Sequence, residues 1–187
     1  MRPLPRSKYT VTSGSRVNEP SLIDRLGDTT SRRERDALDR DIVQMLVEFL
    51  AAKSVMLYGV LDAGTDKRLV RRASYVDGQV QARLRVPHDL AGLPKLTDRA
   101  EWLRCIETNG PVHCPLVDTS TVYFPVEDGA GATGILEIEL VDSMSEREAR
   151  LVEGFLRILR NQIALLDYGE RDTLTGLLNR KTFESRF

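Results

Sequence analysis

The chain has 187 residues, 41% of them hydrophobic, and a formal net charge of −1. That length allows one domain with a genuine core plus extensions. The near-zero charge excludes a general polyanion-binding character, and no apolar run reaches the about 18 residues that mark a membrane-spanning helix, so neither a nucleic-acid nor a membrane partner is expected and the expected compartment is the cytoplasm.

Residues 1–30 are rich in Pro, Ser, Thr and Arg, lack the apolar stretch of a signal peptide, and read as a flexible leader. Arg32, Arg33 and Arg35 interleave with Glu34 and Asp36, the pattern of a solvated helix start. A first helix is expected over Ser31–Leu50, with Ser31 and Glu34 forming a capping box. Leu38, Ile42, Met45 and Phe49 make one apolar stripe and Val43, Leu46 and Leu50 a second. One stripe can cover a core while the other meets a partner helix.

Ser54–Leu61 is a short, nearly continuous apolar run, read as a central strand buried on both faces. Arg68–Val76 and Gln79–Val86 read as two further strands, and Asp77-Gly78 between them signals a tight type I′ hairpin. In the second, Val80, Ala82, Leu84 and Val86 alternate with Gln79, Gln81, Arg83 and Arg85, and Pro87 ends the ladder. After a loop over His88–Lys95, Thr97 is expected to cap a helix that reaches Thr108, turns Trp102, Leu103 and Ile106 inward, and stops at Asn109-Gly110-Pro111.

Three more strands follow: Val112–Cys114, Ser120–Val126, where Pro125 suggests an edge or a bulge, and Thr133–Leu140. In the last, Leu136, Ile138 and Leu140 face one side and Glu137 and Glu139 the other. Ser145 caps a final long helix. It carries one seam of Leu151, Phe155, Ile158, Gln162 and Leu165, and beside it Val152, Leu156, Leu159, Ile163 and Leu166. One seam is expected to pack on the sheet and the other to join a second copy of the chain, with Gln162 as a polar register position. A homodimer through the terminal helices is therefore the expected assembly.

Cys105 and Cys114 match no common zinc spacing and no disulfide framework, and are read as small apolar side chains, although His113 adjoins Cys114. No metal site and no catalytic residue is expected within the chain.

The chain closes with Arg171-Asp172-Thr173-Leu174-Thr175-Gly176-Leu177-Leu178-Asn179-Arg180-Lys181-Thr182-Phe183. This run resembles the opening of GGDEF domains, the diguanylate cyclase family, through Asp172, Leu174, Thr175, Gly176, Leu177, Asn179, Arg180 and Phe183. The resemblance implies a parent protein that makes cyclic di-GMP from two GTP with Mg. The Gly-Gly-(Asp/Glu)-Glu-Phe signature is absent from Met1 to Phe187, so no cyclase activity and no cofactor is expected of this chain itself.

The element order over Arg35–Tyr168, together with Gly134-Ile135-Leu136-Glu137-Ile138, resembles a GAF domain. That implies an α+β fold, with a six-stranded antiparallel sheet flanked by helices and long terminal helices. The expected divisions are a leader at 1–30, a GAF-like sensor at 31–168, and a linker with the start of a GGDEF domain at 169–187, with Gly169 as a hinge. A PAS-like sensor ahead of a degenerate GGDEF domain is the competing architecture. By the same resemblance a small-molecule effector would sit under the segment His88–Cys114, and the candidate contacts are Tyr58, Arg72, Trp102, Cys105, His113 and Tyr123. The motifs of cyclic-nucleotide and bilin binding are missing, and haem or iron would need His88, His113 or a cysteine turned inward. The ligand stays open, and a ligand-free dimerising scaffold is the alternative function.

Overall fold

The structure is a computed structural model, and it describes residues 34–64, 66–81, 90–127 and 131–170. In chain order these form α1 (Arg35–Leu50), β1 (Ser54–Ala63), β2 (Asp66–Val76), β3 (Gln79–Gln81), α2 (Ala100–Thr108), β4 (Val112–Pro115), β5 (Ser120–Glu127), β6 (Ala132–Leu140) and α3 (Glu146–Glu170). The six strands make a single sheet in the order β3-β2-β1-β6-β5-β4, and every neighbouring pair is antiparallel.

Alternation along the strands sends apolar side chains to both faces, and each face is covered by helix. On one face Ala73, Leu57, Leu136 and Phe124 lie side by side across β2, β1, β6 and β5. This row packs beneath α1, through residues that include Leu38, Ile42 and Leu46, and beneath α3, through Val152, Phe155, Leu159 and Ile163. A second, smaller core on the opposite face joins Leu69, Ile135, Val112 and Tyr123 of the sheet to Trp102 and Cys105 of α2 and to Leu96. Arg35 at the start of α1 pairs with Asp167 near the end of α3, holding the two helices together at one end.

Local signals account for several boundaries. Asp77 and Gly78 have φ of 52° and 80°, both positive as a type I′ turn requires. Ser145 Oγ accepts from the Glu148 backbone N–H at 3.3 Å while the Glu148 carboxylate accepts from the Ser145 N–H at 2.7 Å, which is a complete capping box at the start of α3. β4 pairs only with Ser120–Tyr123, so Pro125 sits where β5 has no strand neighbour on its outer side and its missing donor costs nothing.

Other expectations need correcting. Thr97 does not cap α2: it lies inside a 3₁₀ turn over Leu96–Asp98, and Arg99 occupies the N-cap position without a side-chain cap. The Asp98 carboxylate instead accepts from the backbone N–H of Lys95 at 2.8 Å, stabilising that turn. α1 begins at Arg35 with Glu34 as its N-cap residue, and Ser31 lies outside the described residues. The expected strand over Gln79–Val86 is described as far as Gln81, and the remainder lies outside the described residues.

Candidate functional site on the second sheet face

The face covered by α2 gathers the chemistry. Met56, Tyr58 and Val60 of β1 project to it, while Val55 and Leu57 enter the larger core. Tyr58 lies against Trp102 of α2, with ring centroids 5.5 Å apart and planes tilted by 55°, an arrangement suited to the ring quadrupoles. Arg99 stands over Trp102 itself, its guanidinium carbon 4.6 Å from the ring centroid.

Glu137 is the hub. Alternation on β6 puts it on the same face as Ile135, beneath α2. Its carboxylate accepts from Trp102 Nε1 at 3.1 Å and from Arg99 at 3.2 Å. Burial, and next the Glu137 charge, push both Tyr58 and Tyr123 from the ordinary 10.0 up to about 12. Burial alone pushes the Cys105 thiol up to about 12, so at neutral pH it is a protonated core group rather than a nucleophile.

The two phenols define a testable pH response. The folded chain holds their protons more tightly than the unfolded chain, so their contribution to stability is constant below about pH 10 and declines as pH rises towards about 12. A tyrosinate absorbance titration should show Tyr58 and Tyr123 ionising late, together with loss of structure. If Tyr58 and Tyr123 ionised near the free-phenol value while the fold persisted, the buried cluster would be wrong.

Of the six residues expected to line a ligand site, Tyr58, Trp102, Cys105 and Tyr123 do share this face. Arg72 does not. The β1–β2 register shifts between Leu57 and Tyr58, from Leu57 opposite Ala73 to Tyr58 opposite Arg71, so Arg72 is an inserted bulge residue. It turns to the α1 side and makes two bonds to Asp39, at 2.9 and 2.6 Å. Gly59 leaves the space it needs, since a Cβ there would lie 3.1 Å from Arg72 Cδ. Arg71 takes the place beside Tyr58 instead. His113 is also misplaced: it is exposed, while its neighbours Val112 and Cys114 turn towards α2. Among the described residues no group of three or more His, Cys, Asp or Glu is arranged to hold a metal ion.

The expected dimer seam is divided by the structure. Phe155 is buried in the chain's own core, 6.1 Å from Phe49 between ring centroids, and Leu151 packs partly against that core. Ile158 and Gln162 are half-buried, and Leu165 is 64% exposed, with Tyr168 beyond it at 72%. Asp172, Leu174, Thr175, Gly176, Leu177, Asn179, Arg180 and Phe183 lie outside the described residues.

No protein-family model matches the chain, and no curated protein matches its sequence. Solved structures do match its architecture. A GAF domain from an Acinetobacter phosphoenolpyruvate-protein phosphotransferase superposes with a TM-score of 0.57 at 14% identity, covering 80% of this chain and 93% of that one. The chain has the GAF fold. Residues 122 to 287 of a methyl-accepting chemotaxis protein match with a TM-score of 0.59 at 15% identity, covering 78% of this chain and 98% of that one. A free methionine-R-sulfoxide reductase from Neisseria meningitidis, solved with its substrate, matches at 0.56 and 14% identity, over 79% and 89% of the two chains. At these identities the likeness is one of fold. GAF architecture replaces the PAS-like alternative, since the long opening helix packs directly on the sheet. No helix of the described residues is long and apolar enough to cross a membrane.

Proposed function

We propose that the chain is the sensory and dimerising input domain of a cytoplasmic diguanylate cyclase, which would use Mg and GTP to make cyclic di-GMP in a domain opened by Asp172–Phe183. The observation that carries this reading is the course of α3. The helix is anchored on the sheet by Val152, Phe155, Leu159 and Ile163, and it continues to Glu170, two positions before Asp172. Whatever shifts its anchored half shifts the start of the following domain.

A second link supports a relay. Asn109, at the C-cap of α2, donates to Glu127 at 2.6 Å, and Arg160 of α3 donates to the other Glu127 oxygen at 2.9 Å. The helix that covers the second sheet face is thereby tied to the helix that leads to the GGDEF opening. An effector that favours one placement of α2 would bias α3 in proportion to its differential affinity for the two placements.

A ligand-free scaffold is the second reading, favoured by the pairing of Glu137 with Arg99 and Trp102 within the chain itself. Both readings place two copies side by side along α3, through Ile158, Gln162 and Leu165. Ile158→Glu and Leu165→Glu should each convert a dimer to a monomer in sedimentation velocity, because a charge buried in an apolar seam is costly. A dimer that survives both changes would remove α3 from the interface.

A further inference from the structure

Among the described residues, four buried side-chain atoms have no hydrogen-bond partner: Arg35 Nε, Arg68 Nε, Arg71 Nε and Ser74 Oγ. Two of the arginines are otherwise engaged. Arg35 pairs with Asp167, and Arg68 donates to the Ala91 and Leu93 carbonyls and pairs with Asp66. Arg71 is different, since none of its nitrogens meets an acceptor among the described residues.

Both remaining orphans are on β2 and face the α2 side of the sheet. Arg71 lies opposite Tyr58, and Ser74 lies opposite Met56, whose other neighbour is Glu137. Ser74 is fully buried. Among the described residues the charges on this face do not balance: Glu137 answers Arg99, and no carboxylate answers Arg71. Buried donors are normally satisfied, and an exception calls for an absent partner. A guanidinium fork fits the paired oxygens of a carboxylate or a phosphate.

We propose that Arg71, with Ser74 beside it, anchors the carboxylate or phosphate of a small molecule that lies against Tyr58. This deepens the sensor reading and rests on it. The ligand would meet Tyr58, whose ring touches Trp102, and Trp102 sits on the helix that Asn109 and Glu127 link to α3.

Trp102 is the sole tryptophan of the chain, so its fluorescence reports directly on this face. The full 187-residue chain should be titrated with benzoate, with phenyl phosphate and with uncharged benzamide. The expected result is a saturable emission change with at least one of the two anions, and none with benzamide. The anion that binds more tightly identifies the headgroup. Arg71→Ala should weaken that binding about 10- to 100-fold, as loss of a charge-assisted hydrogen bond does. Arg71→Lys should bind at an intermediate level, and Arg104→Ala, on the exposed side of α2, should bind as the parent does.

Melting supplies an independent readout. Arg71→Ala removes no hydrogen bond among the described residues, so the ligand-free variant should melt no lower than the parent. No saturable response to either anion would overturn the proposal. So would a response unchanged in Arg71→Ala, or a clear loss of ligand-free stability that marks Arg71 as structural. Failure here would leave the cyclase reading standing, because GTP turnover tests that separately.

Discussion

Gly134→Ala is expected to weaken the fold by about 3 kcal/mol, at the upper end of typical overpacking costs. Gly134 sits mid-sheet, opposite Gly59 on β1 and Val126 on β5. A Cβ added there would stand 2.4 Å from the Tyr58 carbonyl oxygen and 3.3 Å from Val126 Cβ. The first of these is backbone within a paired strand, so no rotamer change relieves it, and β1 must move from β6. A drop in Tm of about 6–12 °C corresponds to that loss for a chain of this size. The same shift would displace Tyr58 from Trp102, and the emission of the single tryptophan should change even where the variant is folded. A variant with parental Tm and parental emission would show that the strands do not approach this closely.

Asp39→Ala is expected to cost about 3–5 kcal/mol, the range for breaking a buried ion pair from one side. The Asp39 side chain is 2% exposed and that of Arg72 is 16%, so removing the carboxylate leaves a mostly buried cation without this partner. An apolar replacement of both, Asp39→Leu with Arg72→Met, should recover most of the loss, since the pair's attraction is offset by the desolvation of both charges. Urea unfolding of the single and double variants measures the coupling directly. A loss under about 1 kcal/mol for Asp39→Ala would place the pair with exposed salt bridges and contradict its burial.

What the sequence disclosed was set by local chemistry. The Asp77-Gly78 turn needs only its own two residues, and the Ser145 cap acts within one helical turn. The alternation of Leu136, Glu137 and Ile138 assigned both faces of β6 correctly. What it concealed was set by distant partners. Arg71 and Arg72 are indistinguishable by composition, and a bulge that exists only because β1 pairs with β2 decides which one faces α2. Glu137 gains its role from Arg99 and Trp102, which belong to a different element. Its signal was present, as a carboxylate in register with Ile135 beneath an apolar helix, but it needed the helix to be placed first. Thr97 has the chemistry of a helix cap, yet the chain enters α2 through a 3₁₀ turn closed by Asp98. Phe155 and Leu165 share one stripe of α3, and packing rather than pattern draws Phe155 into the core and leaves Leu165 outside.

The most direct test of the input-domain reading is cyclic di-GMP synthesis from GTP and Mg by the protein read through and beyond Phe187. The account predicts product, at a rate that changes when Leu165→Glu separates the two copies or when Arg160→Ala cuts the link from α2 to α3. A coding sequence that continues into an intact Gly-Gly-(Asp/Glu)-Glu-Phe signature yet yields no product would contradict it, as would a stop codon directly after Phe187.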